Sequence, residues 1–453
     1  MLKDRDRPKF PPYAFRSILG GLLVDVAPLR QSPPFARLWT GNLIAGIGTQ
    51  LTVVAVGLHV WSLTTSTLAV SLVGALGLVP LMAAGLYGGV VVDAFDRRTV
   101  LLGASTVMWC TTLALVATAL SGSTSLPLLY TLAVANSVAA AVVAIARTAV
   151  IAQLVQPEHL PAAAALFGIS SGVFITVGPA LAGVLVATVG LPWTYTLDAG
   201  LFLASLVAAW TLPSLRPEGE RVRLGLRSLV DGLTFLKRSR VISASFLADI
   251  AAMTFGRPHA LFPAAAATVI GGGASTVGIL TASLAVGAVG LGLFSGPLSR
   301  IEQQGRVVGW SIAAYGASIA GFGIVLVGTG MRGATALVDP LALTLSCTFL
   351  AAAGASDETS AIFRTAILLT AAPDSLRGRL QGVFTVVVNG GPRAGDLWVG
   401  LLTTATAIWV PPVLGGALVI VTIGLVLKCF RELRLYRSTA GASGTSGHPT
   451  AAL

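Results

Sequence analysis

Nine ionisable side chains, Asp198, Asp249, Asp357, Glu358, Asp396, Arg147, Arg257, Arg364 and Arg393, stand inside long apolar stretches of this chain. A charge held at bilayer depth costs roughly 2.5–3.5 kcal/mol on insertion scales, so each is a functional candidate by default. Asp357 and Glu358 lead as proton carriers, because adjacent carboxylates repel when both are ionised and one of them can then load and release a proton. Asp249 and Asp198 follow as alternatives. Asp357 and Arg364 are seven residues apart, on nearly one helix face and two turns from each other. Direct contact is not expected over that distance, although both can line one cavity. Arg393 and Asp396, three apart, can pair on one face or meet a substrate. Arg147 and Arg364 lie near helix ends, where snorkelling to the interface competes with pairing and favours a structural role. Asn42, Gln50, Asn136 and Asn389, with Trp109, Phe174 and Phe255, are the polar and aromatic residues from which a cavity lining can be built.

Catalysis and metal binding find little support. The four histidines, His59, His159, His259 and His448, are dispersed at unrelated depths, and lone His59 reads as an interfacial residue. Cys110, Cys347 and Cys429 form no CxxC pair, so neither a zinc site nor a disulfide framework is expected. No GxxxxGK[ST] loop is present, and ATP is not expected to supply energy. No catalytic, cofactor or metal residues are therefore assigned.

The elements that must position these charges are long helices. Of the 453 residues 55% are hydrophobic and 10% charged, with a mean hydropathy of +0.85; a soluble domain carries roughly 25% charged residues. The apolar residues come in blocks of about 20–28, each able to cross a hydrocarbon core of ~30 Å at ~1.5 Å per residue. Twelve spans are predicted, over about 38–62, 68–92, 99–120, 126–152, 161–189, 192–212, 241–267, 274–298, 307–329, 336–366, 378–400 and 405–429.

A net charge of +11 would suggest a nucleic-acid surface in a soluble protein, but its placement excludes one. Seven Lys/Arg precede the first span, two lie in 93–98, seven in 213–240, two in 299–306, two in 372–379 and four at the C-terminal end; only Arg332 falls in an opposite loop. This alternation is what the positive-inside rule requires of twelve crossings with both termini cytoplasmic. No signal peptide is visible. The predicted organisation is an N-terminal segment over 1–37 with an interfacial helix within 13–30, a six-helix bundle over 38–212, a cytoplasmic linker over 213–240, a second six-helix bundle over 241–429 and a tail over 430–453.

The two bundles repeat each other. ARTAVI at 146–151 matches FRTAIL at 363–368, pairing Arg147 with Arg364 at an offset of 217. Pro157-Glu158-His159-Leu160 faces Pro373-Asp374-Ser375-Leu376, Gly178-Pro179 faces Gly391-Pro392, and Gly89 matches Gly292. Parallel repeats related by an axis along the membrane normal, with substrate between them, are a known plan of secondary transporters.

The stretch Gly89-Val-Val-Val-Asp93-Ala-Phe-Asp96-Arg97-Arg98 resembles the loop between the second and third helices of the major facilitator superfamily. The segments at 28–39, 156–183 and 363–383 resemble the branch containing the enterobactin exporter and related bacterial efflux proteins. The resemblance implies an all-α integral membrane fold of two six-helix bundles in a bacterial cytoplasmic membrane. It also implies that Asp93, Gly89, Arg97 and Arg98 stabilise one alternating-access state. Ala94 and Asp96 depart from that pattern, and the second-half equivalent at 292–300 lacks the acid. Gly178, Pro179 and Gly183 resemble the glycine-proline motif of family exporters, where small residues pack tightly and proline kinks the helix.

The resulting expectation is export of an amphipathic small molecule, a siderophore, secondary metabolite or drug, by proton antiport from a monomer in the lipid bilayer. The alternatives are an importer or uniporter of the same fold, a membrane-embedded enzyme, which needs a nucleophile-base or metal constellation, and a channel, which needs repeated polar rings.

Overall fold

In the computed structural model the described residues are 25–122, 125–216, 239–294, 298, 301–331, 337–371 and 374–437, with backbone alone at 86, 90, 93, 369, 371 and 374–389. The predicted residues 1–24 of the N-terminal segment, 217–238 of the linker and 438–453 of the tail, and Arg332, lie outside them.

Polar residues start the helices where the apolar blocks begin. Ser32 accepts from the Phe35 N–H at 3.3 Å and opens α1, Pro33–Thr64, whose first turn carries proline. Thr65 closes it in the left-handed conformation, and Ser66 at once caps α2, Thr67–Ala75, by accepting from Ala69 N–H. After α3, Leu78–Ala94, Asp96 accepts from Arg98 N–H at 2.9 Å and caps α4, Arg97–Ser121. There follow α5, Leu126–Leu154, α6, Leu160–Thr188, and α7, Gly190–Trp210. Beyond the linker come α8, Arg240–Phe255, α9, Gly273–Leu293, and α10, Gln304–Gly330. Asp339 accepts from Leu341 and Ala342 N–H at the start of α11, Pro340–Ala371, which α12, Asp374–Ala405, and α13, Val410–Cys429, follow. Among the described residues the regular structure is all helical, and eight helical stretches are long and apolar enough to cross a membrane.

Two predicted spans are not single helices. The stretch expected over 68–92 breaks at Leu76-Gly77, where Arg393 of α12 packs against Gly77 and donates to Gly74 O at 3.3 Å. The stretch expected over 241–267 stops at Phe255 and continues through a 3₁₀ turn at His259–Leu261, a short helix at Phe262–Ala265 and a π turn at Ala266–Ile270. Pro258 and Pro263 lack the N–H that a continuous helix needs there. Gly271 and Gly272, at φ 85° and 81°, then reverse the chain against Leu337 and Val338.

In the first part α1 packs between α6 and α7, and α4 between α5 and α7; in the second α10 packs with α11 and α13, and α8 with α12 and α13. Two main pairings join the parts, α6 with α9 and α2 with α12. Each includes a backbone-close contact near the end opposite the chain termini, the distal end. A methyl group on Gly183 would stand 2.8 Å from Gly278 Cα, and one on Gly400 3.0 Å from Leu68 Cα. Large apolar side chains such as Leu63, Trp193, Trp210, Trp310 and Leu425 face outward, as a lipid-contacting surface requires.

Candidate functional site

Between the two parts lies a cavity of about 380 Å³. Thr52, Val53 and Val56 of α1, Asn136 and Ser137 of α5, and Arg257, Arg393 and Asp396 are among its lining residues. Arg257 stands in the break after α8, and Nε lies 3.3 Å from Asp396 Oδ1 of α12. The predicted Arg393–Asp396 face is thus shared: Asp396 meets Arg257, and Arg393 reaches across to α2. A smaller adjoining cavity includes His259 and Thr281 and shares Arg257 and Asp396. Of the other residues expected to line a cavity, Asn136 does so, donating to Thr111 at 2.9 Å. Trp109 donates to Ala199 O, Phe174 packs on Gly46, Gln50 packs on Gly178, and Phe255 stacks edge-on against Trp398 at 5.3 Å. The side chain of Asn389 lies outside the described residues.

A second cluster gathers three separate sequence candidates. Arg364 of α11 is 4% exposed and is ion-paired to Asp249 of α8, itself 2% exposed. Its other terminal nitrogen lies 3.8 Å from Asp357 Oδ1, and Asp357 remains 34% exposed. Arg364 therefore pairs rather than snorkels, contrary to the expectation from its place near a helix end. The contact with Asp357, not expected over two turns, forms because a long arginine on a helix points back toward the N-terminus and spans most of that rise. Glu358, next along α11, is partly buried.

The internal repeat places a related but unequal arrangement in the first part. Arg147 of α5 donates to Asn42 Oδ1 of α1 and its guanidinium lies 5.6 Å from the Phe167 ring centroid. Position 140, seven before Arg147 as 357 is seven before Arg364, is alanine. Where one arginine has two acids, the other has an amide and a ring.

Asp198 of α7 is 2% exposed, and its carboxyl fills the space that a side chain at Gly48 of α1 would need. Its Oδ2 accepts from Thr52 and from Thr112 of α4, the latter at 3.4 Å, while Oδ1 has no hydrogen-bond partner. Thr52 also lines the cavity, so one hydroxyl separates Asp198 from it. His59 is buried, with Nδ1 3.3 Å from the Tyr195 hydroxyl.

At the terminal end the loop after α3 is tied down by Asp96. Besides capping α4 it accepts from Ser214 Oγ and from Leu215 N–H at 3.2 Å. Burial opposes ionisation, yet these hydrogen bonds and those from Arg98 and Thr99 hold its carboxyl below the usual carboxylate range. Arg98 donates to Trp210 O at 2.6 Å and Arg97 to Ala149 O at 3.2 Å, fastening the loop to α7 and α5. The side chain of Asp93 lies outside the described residues. Gly89 lies within α3, and it is Gly88 whose Cβ position faces Ile145 of α5 at 3.0 Å. Gly178 packs against α1, while Gly183 and the Pro179 carbonyl pack against Gly278 of α9, so this motif does mediate a tight helix contact. Thr52, Thr112 and Asp96 carried no role in the sequence reading. An aspartate just before a helical block is a capping signal that marks Asp96, but nothing local couples Thr52 to an acid 146 residues away.

Helices packed about a charged cavity between two pseudo-repeated parts define a membrane transporter of the major facilitator type. The chain belongs to the transmembrane secretion effector family, which matches residues 24–450. It is 28% identical over 420 residues to the enterobactin exporter EntS of Citrobacter koseri, covering 92% of this chain and 96% of that one. The corresponding protein of Shigella flexneri is 27% identical over 422 residues, with coverage of 92% and 96%. Among solved structures, the POT family transporter PepTSo aligns with a TM-score of 0.70 at 12% identity, covering 89% of this chain and 98% of that one. The nucleoside transporter NupG aligns at 0.63 and 15%, covering 89% and 99%. A bacterial homologue of the human lysosomal transporter Spinster, inward-facing, aligns at 0.63 and 13%, covering 91% and 97%. At such identities the likeness is one of fold. The protein is accordingly a multi-pass membrane transporter and not an enzyme.

Proposed function

We propose that the protein exports an amphipathic small molecule, a siderophore of the enterobactin kind or another secondary metabolite, across the cytoplasmic membrane in exchange for protons. The observation that carries the coupling is Arg364, buried between Asp249 and the more exposed Asp357. One guanidinium faces two carboxyls, so a single proton neutralises the cluster, and Asp357, the less buried acid, is the one it reaches. With Asp357 protonated, Arg364 is held by Asp249 of α8 alone; with Asp357 ionised, a carboxylate of its own helix α11 competes with Asp249 for the guanidinium and loosens the tie to α8. Such a switch biases how these two helices sit against each other as access alternates. Glu358 lies beside it to pass protons on, and Asp198 is the reserve site.

Substrate occupies the cavity lined by Arg257, Arg393 and Asp396. The bundles over 38–212 and 241–429 rock about it, with both termini cytoplasmic, as the distribution of basic loops supports. The α6–α9 and α2–α12 contacts bring the two parts together near the distal end, which fits loading from the cytoplasm. Asp96, Arg97 and Arg98 hold the cytoplasmic end of the first bundle as one body. One chain contains the whole path, so a monomer suffices.

The test is proton movement in inverted membrane vesicles acidified inside. Added enterobactin, or an antibiotic or dye from a panel, dissipates the gradient with the wild type and not with Asp357→Asn. Dissipation that Asp357→Asn and Glu358→Gln leave intact overturns the assignment of the coupling acid. Loss of substrate-dependent proton movement across the whole panel with folded wild type overturns antiport.

A further inference from the structure

Arg147 is a cation within a predicted span that no carboxylate among the described residues neutralises. It is partly exposed. Its hydrogen-bond partner is the neutral amide oxygen of Asn42. The other end of that amide, Nδ2, is buried with no acceptor. Two donors thus converge, one carrying a full positive charge, and both lack an anionic oxygen. Phe167 lies beside the guanidinium.

The repeat shows what is missing. In the second part Arg364, the counterpart of Arg147, is satisfied by Asp249 and Asp357. In the first part the neighbouring helix offers Asn42 and the position seven before the arginine is Ala140. The space two carboxyls fill in one half is left to an outside acid in the other.

Position argues that this acid belongs to the transported molecule. Eleven residues make close to three helical turns. Asn42 stands eleven before Val53 on α1 and Arg147 eleven after Asn136 on α5, and both Val53 and Asn136 line the central cavity. Asn42 and Arg147 therefore share the cavity-facing sides of their helices, about 16 Å nearer the terminal end at ~1.5 Å per residue. That end is opposite the close α6–α9 and α2–α12 contacts at Gly183 and Gly400.

We propose that Arg147 and Asn42 form an entry-side anion site that takes an acidic oxygen group of the substrate, a carboxylate, phenolate or sulfonate on an aromatic body, before it reaches the central cavity. The inference rests on the transport reading in one respect, that the ligand is the cargo. Binding needs no proton gradient, so failure of antiport and failure of this site are separate results.

The probe is 1-naphthoate, with its neutral isostere 1-naphthamide as reference, titrated calorimetrically against the full chain in phosphatidylcholine nanodiscs near neutral pH. The wild type is expected to prefer naphthoate. Arg147→Gln is expected to lose about tenfold or more in naphthoate affinity while keeping that for naphthamide, since a charge-assisted hydrogen bond is removed. Arg147→Lys retains most of the preference, and Asn42→Ala loses part of it. Unchanged naphthamide binding shows that the variants are folded. Arg431→Gln, an exposed change at the C-terminal end, leaves both affinities unchanged. A wild type without preference, or a preference that survives Arg147→Gln, overturns the proposal. An anionic lipid headgroup carries the same chemistry, so the titration is repeated with phosphatidylglycerol in the disc. Retained naphthoate binding supports a cargo site, and its abolition assigns the site to lipid and overturns the proposal.

Discussion

Arg364 shows what a buried charge demands of its neighbours. Removing it leaves Asp249 unpaired in the interior, a change that costs about 3–5 kcal/mol when a buried pair loses one partner. Arg364→Met is therefore expected to lower the thermal stability of the purified transporter sharply, and the double variant Arg364→Met/Asp249→Leu to recover most of that loss. A double variant as unstable as the single one would show that the pair does not carry the stability. Asp198 gives a second test. Thr52→Val withdraws a donor from a carboxylate that has another oxygen already unpartnered, so a loss of about 1–3 kcal/mol is expected in the same melting measurement. The charges themselves were legible in the sequence, because an ionisable residue inside an apolar block identifies itself by cost alone. Their partners were not. Asp249 and Arg364 are 115 residues apart, and no local pattern states which helices meet.

At the scale of the elements, block length placed helices along the predicted apolar blocks, eight of them long and apolar enough to cross a membrane among the described residues, while two interruptions escaped it. Arg393 enters the first at Gly77, and the second, after Phe255, places Arg257 at the cavity. Hydropathy averages over such breaks, since Leu76-Gly77 are apolar and Arg257 and His259 are two residues in a long apolar block. Close helix contact is more sharply testable. A side chain at Gly183 collides with Gly278 of α9, so Gly183→Leu is expected to prise the distal end apart. In a protein freed of Cys110, Cys347 and Cys429, Thr281→Cys then reacts faster with a membrane-impermeant thiol reagent applied from the distal side; an unchanged rate would mean that the α6–α9 contact does not hold that end shut. Asp96 can be tested by stability. Asp96→Ala removes a helix cap worth about 1 kcal/mol, measured by thermal melting. Because hydrogen bonds depress the Asp96 carboxyl, its contribution is present above the ordinary carboxylate range and fades as pH falls through its folded value. The difference between Asp96→Ala and wild type should shrink in acid, and a difference that grows would contradict the capping role.

For the whole molecule, the sequence repeat at Arg147 and Arg364 foreshadowed paired bundles, and the structure shows that the repeat is chemically unequal. The second part carries a titratable Asp249–Arg364–Asp357 cluster, and the first an arginine with a neutral partner. In the proposed exchange mechanism the unequal halves divide the labour: one responds to protons while the other presents a permanent charge. The measurement that tests this division most directly uses proteoliposomes containing Asp357→Asn. Exchange of labelled for unlabelled substrate at equal pH requires the carrier to reorient loaded, with no net proton step, whereas accumulation driven by a pH gradient requires the coupling acid. Asp357→Asn is expected to keep exchange close to wild type and to lose pH-driven accumulation. Accumulation at the wild-type level in Asp357→Asn would contradict the assignment of Asp357 as the residue through which protons drive transport.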